Sequence, residues 1–585
     1  MNTQEKDVLY QLMKAPYINQ RLLAQNCSHS LGTVNKSLKE LLDNGYIDTD
    51  YKITENAKKE FHNKAPKNAI ILAAGYGMRM VPINTAVPKG LLEVNGEPLI
   101  ERIIKQLHEK KIKDITIVVG FMKEQFEYLI DEYDVNLVVN PEYSIKNNLH
   151  SMKLICEQLS NTYVIPCDIW CEQNPFRENE LYSWYMVSDM VDDASSVRVN
   201  RKMELVRVSE NEAGNEMIGI AYLLEEHASQ VRERINDLCR DSKNDGEFWE
   251  ISLFERERMI IPAKVVRSYD TVEINTYEQL RELDNKSNQL KSDAIDIIVD
   301  TLECKADEVV DIQVLKKGMT NRSFLFTCKG EKYIMRIPGE GTEQLINRRE
   351  EASVYKTICE KSICDDIKYI NPENGYKISK YLENARVCDP YDIEDLSKCM
   401  KKLREMHLFE LIVEHEFDLF KQIEFYESLW NGQPSIYRDY KKTKENVYLL
   451  GAYIQKYQGK KVLTHIDAVP DNFLFVGEEI RLIDWEYAGM QDPHVDIAMF
   501  CIYAMYNREQ VDQLIDLYFS EGCQQEIRIK IYCYIAVCGL LWSNWCEYKR
   551  QLGIEFGEYS IRQYRYAKEY YKIAREEMQN GGEVL

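Results

Sequence analysis

Histidine, aspartate and asparagine stand at spacings suited to phosphate chemistry in one stretch, Leu463–Gly489, LTHIDAVPDNFLFVGEEIRLIDWEYAG. His465-Ile466-Asp467 opens a loop, Asn472 follows five residues after the aspartate, and Asp484 ends the apolar run Ile480–Ile483. Phosphoryl transfer needs one carboxylate to accept or orient the acceptor hydroxyl, and two oxygen ligands to hold Mg2+ on the nucleotide phosphates. Asp467 suits the first role, Asn472 and Asp484 the second. The plainer reading is a polar β-hairpin with two incidental aspartates. An isolated HxD says little, but HxDxxxxN followed a strand later by IDWE is a specific pattern. Two short apolar strands must then deliver the carboxylates to one place.

A chain of 585 residues exceeds what one hydrophobic core serves and implies three or four domains. Its hydrophobic share of 45% and charged share of 29% are ordinary for a globular protein. The formal net charge of -22 argues against wholesale coating by nucleic acid, although one local patch could still meet DNA. Sixteen cysteines are scattered without a CxxC pair, which fits reduced thiols rather than a zinc module or a disulfide framework. The start MNTQEKDVLY has no apolar signal region, and the longest apolar run, Ile531–Trp542, is too short to span a bilayer. The expectation is a soluble, cytoplasmic protein.

Before Pro66 the pattern is helical. Val8, Leu9, Leu12 and Met13 recur at helical spacing, and a second helix is predicted around Gln20–Gln25. A third starts at Ser30, carries Val34, Leu38, Leu41 and Leu42 on one face, and ends at Asn44-Gly45 as a helix C-cap would. YIDTDYKITENAKKEF then reads as strand, turn, strand and a polar helical tail. Three helices and a small wing resemble the winged helix-turn-helix of bacterial regulators. On that resemblance SHSLGTVNKS is the recognition helix, with Ser30, Thr33, Asn35 and Lys36 turned to DNA. The module is almost charge-balanced, with Asp43, Asp48 and Asp50 near the wing, so a docking or dimerisation role stands beside DNA binding.

After Pro66 the character changes. Asn68–Leu72 is a compact apolar run that reads as a buried parallel strand, and it breaks into AAGYGMRMVPINTAVPKGLLEVNGEPLIERII. Gly75 and Gly77 let the backbone approach a ligand closely, and Arg79 and Lys89 set fixed positive charge beside that loop. Strand, glycine loop, arginine, Pro88-Lys89 and a helix from about Pro98 resemble the signature of the nucleoside-triphosphate transferases, LAAGxGxR followed by PK. A dehydrogenase-type turn would want GxGxxG and an acid about 20 residues on, and neither is present. The resemblance implies a Rossmann-like α/β sheet transferring a nucleotidyl group, with Leu72, Ala73, Ala74, Gly75, Gly77, Arg79 and Lys89 around CTP. Further strands are expected at Asp114–Gly120, Asn136–Asn140 and Tyr163–Pro166, the last leading into Cys167-Asp168. An acid at the carboxyl end of such a strand points into the ligand crevice, and the resemblance makes Asp168 a Mg2+ ligand. Many members carry Gly before that Asp, so Cys167 is a departure.

NPEYSIKNNLHSMKLI, with Asn147, Asn148 and Ser151, looks like the phosphocholine cytidylyltransferase branch, as do GEFWEISLFE and YDTVEINTYEQL. In that branch the tail motif is an acid, an apolar residue and a second acid, the acids helping to bind metal. Here it reads Glu273-Ile274-Asn275, which keeps Glu273 as a ligand and loses one charge. Trp170, Phe248 and Trp249 are candidates for caging a quaternary ammonium by cation–π contact, against the plainer reading of core aromatics. On this resemblance an acceptor phosphate oxygen attacks the α-phosphorus of CTP and pyrophosphate leaves, with Lys89, Arg79 and Mg2+ stabilising the growing charge. A phosphomonoester is already an anion, which fits the lack of any His in the motif.

Asn285–Ser292, NKSNQLKS, is polar and reads as a linker. Val314–Cys328, VLKKGMTNRSFLFTC, resembles a turn between strands that covers ATP phosphates, with Gly318 its one glycine and Thr320 and Asn321 offering hydrogen bonds. The strand Lys332–Ile337 places Arg336 at the α/β-phosphates, and Glu350 on the following helix is its expected ion-pair partner. Ile378–Arg386 looks like the segment joining two lobes near the adenine. With the opening stretch, these features resemble the choline/ethanolamine kinase family, related to aminoglycoside phosphotransferases, over essentially the whole C-terminal half. The resemblance implies Asp467 as catalytic base or hydroxyl orienter, Asn472 and Asp484 as metal ligands, and Asp492 and Asp496 as holders of the loop. Trp542 and Trp545 lie three apart on one helix face. The family has an aromatic box for a quaternary amine there, which Glu486 or Trp485 would complete, and a core aromatic stripe is the plainer reading.

The predicted architecture is multidomain: a winged helix-turn-helix at 1–64, a Rossmann-like α/β nucleotidyltransferase at 67–290, and an α+β two-lobed kinase-like fold at 293–585. The resemblances imply a bifunctional chain that phosphorylates choline with ATP and transfers CMP from CTP to phosphocholine. The product would be CDP-choline for cell-surface phosphocholine decoration, with Mg2+ as cofactor. One rival keeps both chemistries on ethanolamine, an aminoalkylphosphonate or another small amine. The other is a transcription regulator that uses the enzyme domains as sensors. Expected partners are choline, phosphocholine and nucleotides, with DNA through the first module, no membrane, and a homodimer left open.

Overall fold

Apolar spacing at the start of the chain becomes helical because each helix start finds a side-chain cap. The computed structural model describes every residue except 28, 76, 78, 79, 81, 84–86, 194, 210–211, 288–289, 316–320, 339–344, 552–555 and 583–585. It begins with helices Thr3–Lys14, Gln20–Cys27, Leu31–Asp43 and Glu55–Asn63. Asn2 and Glu5 cap the first reciprocally, and Ser30 Oγ accepts from Thr33 N at 3.1 Å to start the third. Val8, Leu9, Leu12, Leu23, Val34, Leu38, Leu41 and Phe61 form their core. Leu42, expected on that face, is instead exposed, because one residue past Leu41 turns about 100° around the helix. The wing is a single antiparallel bridge from Ile47 to Ile53. Leu181 completes this small core from further along the chain, and Tyr182 Oη donates to Asp7 Oδ1 at 2.8 Å.

The chain divides into two compact units, Met1–Asp296 and Ile297–Leu585. In the first, Asn68–Ala73 runs mid-sheet, parallel to Asp114–Val119 on one side and to Thr162–Pro166 on the other. Asn136–Val139 lies parallel beyond Asp114–Val119. On the far side come Gly214–Leu223, antiparallel to its neighbours, then Trp184–Asp192 and Arg258–Val266. From Ala69 onward the central strand is apolar because both faces are covered. Ala69, Ile71 and Ala73 enter one core cluster, Ile70 and Leu72 the other. The parallel strands end together at Ala73, Val119 and Pro166, the edge where a doubly wound sheet gathers ligands. Gly120 has no room to be larger at that edge, since a Cβ would lie 2.7 Å from Ala74 O.

The second unit opens with five antiparallel strands in the order Val309–Val314, Asn321–Cys328, Glu331–Pro338, Lys377–Lys380, Ile367–Ile370. The helix Arg348–Ile358 is inserted between the third and the last two. Helices Ile393–Leu408, Leu419–Ser428 and Tyr440–Tyr457 follow. The motif stretch then folds back on itself: Phe473–Val476 pairs with Glu479–Leu482, while Thr464 pairs with Gly489 and closes both ends. The run Ile531–Trp542 lies inside the 27-residue helix Gln525–Gln551. Among the described residues this is the one helix long and apolar enough to cross a membrane, and its apolar window is wholly buried in the unit's core.

Lys530 on that helix is 1% exposed and pairs with Asp492 at 2.7 Å, with Tyr457 O as a second acceptor at 3.1 Å. Removing one partner leaves the other charge stranded in low dielectric. Lys530→Ala should destabilise the second unit by about 3–5 kcal/mol, seen as an earlier urea transition. A loss below about 1 kcal/mol would show that water reaches Asp492.

Candidate functional site

Two residues without glycine's freedom hold left-handed backbone in the loop that carries the aspartates. Ile466 has φ +68° and Asp484 φ +65°, each a conformation that costs on the order of 1–3 kcal/mol. Fixed hydrogen bonds offset that cost. Asp496, on helix His494–Tyr503, accepts from His465 N at 3.0 Å and Ile466 N at 2.7 Å, and its carboxylate meets His407 Nε2 at 2.9 Å. Burial pushes the His465 imidazole down to about 4, so the ring is neutral and its Nε2 donates to Ile483 O at 3.0 Å. Ile483 N donates in turn to Asn472 O at 3.0 Å. Loop, asparagine and strand end are thereby locked together.

Asn472 Nδ2 donates to the Asp467 backbone O at 2.8 Å and to its Oδ2 at 3.2 Å. Burial, then the nearby Asp484 and Glu486, push the Asp467 carboxyl up to about 8. Burial also raises Asp484, against the pull of Lys377 and Arg336. Glu486 is pushed up to about 7 by burial and by Asp484. A positive charge placed among these three carboxyls would favour their ionised forms.

Arg336, on Glu331–Pro338, grips Glu351 with both terminal nitrogens, the Nη2 contact at 2.9 Å, and Nη2 also donates to Gly375 O at 2.8 Å. Its partner is thus Glu351, a correction to the expected Glu350. The inward stripe of helix Arg348–Ile358 is Arg348, Glu351, Val354, Tyr355 and Ile358, and Glu350 falls outside it. Burial alone would raise the Glu351 carboxyl, but Arg336, Lys377 and Arg348 hold it below the usual carboxylate range. Arg348 Nη1 reaches Glu351 at 3.0 Å and Glu486 at 3.3 Å, while its Nη2 donates to Asn321 Oδ1 at 3.1 Å. Asn321 Nδ2 donates to Glu486 at 2.9 Å. Asn321 and Glu486, expected at ATP and at the substrate amine, therefore share one buried network with Arg336. Gly318 and Thr320 lie outside the described residues.

Trp485 is fully buried, 4.5 Å from the His465 ring, with Nε1 donating to Leu482 O at 2.9 Å. It packs the loop from behind and does not line an aromatic box, which corrects its expected role. Trp542 meets Trp545 edge to face at 5.5 Å and Tyr487 perpendicularly at 5.5 Å. Tyr426 and Tyr487 escaped the sequence reading. Burial raises both phenols, and both sit within the influence of Asp467 and Glu486. Tyr487 carried a signal, being next to Glu486, whereas Tyr426 lies outside any motif.

In the first unit Lys89 Nζ donates to Asp168 Oδ2 and, at 2.7 Å, to Asn275 Oδ1. Asp168 Oδ1 is buried without a hydrogen-bond partner. Gly77, at φ +58°, lies over Lys89, where a Cβ would touch the lysine Cβ at 3.4 Å. The Cys167 departure is accommodated by Gly90, at which a Cβ would come within 3.1 Å of the Cys167 Cβ. Leu72 O accepts from Cys167 N at 3.1 Å and Ala74 O from Phe121 N at 3.2 Å, while Ala73 is buried between them and Gly75 is exposed. Arg79 lies outside the described residues. The two branch-specific segments meet: Asn147 Nδ2 donates to Gly246 O at 3.0 Å, and Trp249 N donates to Asn148 Oδ1 at 2.7 Å. Trp170 is buried with the Arg102 guanidinium 4.0 Å from its ring centroid, and Trp249 is core, so neither presents an open face. Phe248 is exposed. Glu250 was missed by the motif reading. Burial first, and Glu273 nearby, push its carboxyl up to about 7, while Tyr185 Oη donates to its Oε1 at 3.1 Å and its Oε2 is buried unpartnered.

Three family descriptions match the chain: winged helix-turn-helix DNA-binding over residues 1–48, MobA-like NTP transferase domain over 69–174, and choline/ethanolamine kinase over 312–518. The chain is 32% identical over 206 residues to the 2-aminoethylphosphonate cytidylyltransferase of Lancefieldella rimae, covering 79% of that protein and 32% of this chain. The chain belongs to the cytidylyltransferase family. It is also 49% identical over 117 residues to the choline-phosphate cytidylyltransferase of Streptococcus pneumoniae, a match spanning about half of that relative (51%) and 20% of this chain. Protein LicA of Haemophilus influenzae is 26% identical over 262 residues, 95% of its length and 42% of this chain. The architecture is multidomain, with a helix-turn-helix, an α/β transferase domain and a kinase-like domain in that order.

Glu351→Ala leaves Arg336 buried without its carboxylate and should cost the second unit about 3–5 kcal/mol. Glu350→Ala should stay within about 0.5 kcal/mol. Urea unfolding of the two variants compares them, and equal losses would refute the assigned helix register.

Without metal, folded Asp467 keeps its proton up to about pH 8, whereas the unfolded chain loses it near 3.8. The folded state then binds more protons across that interval, so stability should fall as pH rises through it. Asp467→Asn should flatten the slope and stabilise the chain at the alkaline end. A variant as pH-dependent as its parent would place the charge cost elsewhere.

Proposed function

We propose that the chain makes CDP-choline in two steps, for cell-surface phosphocholine decoration. The second unit phosphorylates choline with ATP, and the first transfers CMP from CTP to the phosphocholine so formed. The observation that carries this is a pairing in one chain. A segment 49% identical to a choline-phosphate cytidylyltransferase is joined to a choline/ethanolamine kinase match at 312–518. The product of one chemistry is the acceptor of the other. The working division is 1–64, 67–290 and 293–585, in a cytoplasmic protein whose first module offers Ser30, Thr33, Asn35 and Lys36 to DNA.

In the kinase step the ionised Asp467 orients the choline hydroxyl and takes its proton. Arg336, set by Glu351, faces the ATP phosphates together with Asn321, Gly318 and Thr320. Glu486 attracts the quaternary ammonium, and the mutually packed rings of Tyr487, Trp542 and Trp545 are the aromatic candidates for it. In the transferase step the backbone of Leu72–Gly77 cradles CTP. Lys89 and Arg79 stabilise charge on the phosphates while the acceptor phosphate attacks in line.

Asp168 with Glu273, and Asn472 with Asp484, would hold Mg2+, which supplies charge neutralisation on the nucleotide phosphates. The unpartnered Asp168 Oδ1 and the crowded Asp467–Asp484–Glu486 carboxyls fit a cation. Among the described residues no group of three or more His, Cys, Asp or Glu could hold a metal. Mg2+ binds through one or two carboxylates plus substrate phosphates.

A second reading keeps the transferase and changes its acceptor to an aminoalkylphosphonate. It is favoured by the 32% identity to a 2-aminoethylphosphonate cytidylyltransferase across 79% of that protein. One assay separates the two. Purified chain with ATP, CTP and Mg2+ is offered choline, ethanolamine or 2-aminoethylphosphonate. CDP-choline with ADP and pyrophosphate is the expected outcome, and a higher kcat/KM for the phosphonate without ATP would favour the second reading. Asp467→Asn should lower choline phosphorylation by ~100-fold or more yet spare CMP transfer to added phosphocholine, and Asp168→Asn should do the reverse. Loss of both activities from either change, in a folded chain, would end the two-site account.

A further inference from the structure

A buried lysine that no step above uses stands beside the kinase carboxylates. Lys377 opens the strand Lys377–Lys380, opposite Arg336 in the antiparallel register with Glu331–Pro338, and is 7% exposed. Its Nζ donates to Tyr355 Oη at 2.7 Å and lies 4.5 Å from the centroid of that ring. Asp365 Oδ2 is 3.8 Å away, beyond hydrogen-bond reach, and Asp365 Oδ1 is buried without a partner. A buried ammonium is costly unless well compensated, and one phenol plus one distant carboxylate compensates little.

What Lys377 faces accounts for its burial. Arg336 is committed to Glu351 and Gly375 O, and Arg348 to Glu351, Glu486 and Asn321, so Lys377 is a third buried cation in this region. Lys377 is the leading positive influence on Asp484, ahead of Arg336, and it also acts on Glu351. Tyr355 sits four residues after Glu351 on the same inward stripe of helix Arg348–Ile358. A bond to its hydroxyl therefore fixes the rotation of the helix that presents Glu351 to Arg336.

We propose that Lys377 is a positioning residue for phosphoryl transfer. Through Tyr355 it seats the helix carrying Glu351, so that Glu351 and Arg336 keep one relative arrangement. No bond is made or broken at Lys377. The proposal rests on the kinase reading of the second unit.

The test uses the full chain and the variants Lys377→Met, Lys377→Arg and Tyr355→Phe. Lys377→Met should lower kcat for choline phosphorylation about tenfold or more, with KM for choline within about twofold. Lys377→Arg should recover most of the rate, and Tyr355→Phe should show a smaller loss in the same direction. CMP transfer to added phosphocholine should stay within about twofold of the parent throughout, confirming an intact first unit.

Amide hydrogen exchange of the nucleotide-free and metal-free chain gives a readout apart from turnover. Residues 348–358 should exchange about tenfold faster in Lys377→Met and at the parental rate in Lys377→Arg. Unchanged kcat in Lys377→Met, or unchanged exchange at 348–358, would overturn the proposal. So would Met and Arg variants whose second units are equally unfolded, since the lysine would then serve folding alone. If the parent chain itself fails to phosphorylate choline, the kinase reading falls and the exchange result alone decides the role of Lys377.

Discussion

Negative charge crowded where water barely reaches is the constraint on which the second unit depends. Burial raises the Asp467, Asp484 and Glu486 carboxyls, and Asp484 adds to the rise at both of the others because little solvent screens them. Everything packed around them answers that repulsion. Arg336 and Arg348 tie Glu351 and Glu486 into one network on the side of the small sheet, with Lys377 next to them. Beneath the loop, Asp496 binds two consecutive backbone amides and keeps Ile466 in a conformation that a β-branched residue would otherwise leave. The left-handed turn at Asp484 is the counterpart, placed where Ile480–Ile483 must stop and the carboxylate must turn inward. Strain and like charge sit together because aiming acids at one point requires both.

The first unit meets the same problem with less charge. One lysine, Lys89, bonds Asp168 and Asn275 together, and the asparagine supplies an oxygen without another negative charge. Two acids there keep a buried oxygen without a partner, Asp168 and Glu250, and Glu250 arrives from a distant segment and is held by Tyr185. Asn147 and Asn148 bind the segment that carries Glu250, so two stretches a hundred residues apart share one wall of the crevice. The glycines are placed by contact as much as by torsion. Gly90 gives Cys167 its room, and Gly120 lets the strand end pass Ala74 and Tyr143.

Strands and motifs were legible in the sequence wherever local pattern decides. From Ala69 to Leu72 the strand is apolar at every position because a mid-sheet parallel strand is covered on both faces, and such a run has few other readings. Asp467, Asn472 and Asp484 are linked through a loop and a short hairpin, so sequence spacing alone brings them near one another. The failures came where register or distance decides. Glu350 and Glu351 are indistinguishable in the run RREE until the helix start is fixed. Asn347 fixes it by capping Arg349 N and Glu350 N, which leaves Glu351 facing inward. Trp485 was assigned to a substrate box because the reversal at Asp484 is invisible in sequence. Glu250, Tyr426 and Leu181 are long-range arrivals, and no local period marks them.

The contrast between the two sites follows from what each acceptor brings. A phosphomonoester reaches the transferase already charged, so the site needs only cations to receive the developing negative charge, and Lys89 bridging Asp168 and Asn275 is such an arrangement. A hydroxyl must lose its proton as it attacks, and an ordinary surface aspartate, with a pKa near 3.9, is too weak a base for that. On the proposed reading the Asp467 carboxyl must be ionised to act, and burial beside Asp484 and Glu486 opposes that until a cation is bound among them. A permanently charged ammonium cannot donate a hydrogen bond and is recognised by charge and by aromatic faces. The base and the ammonium site proposed here would then share one packed cluster, and a mutation that changes its charge would be expected to disturb both.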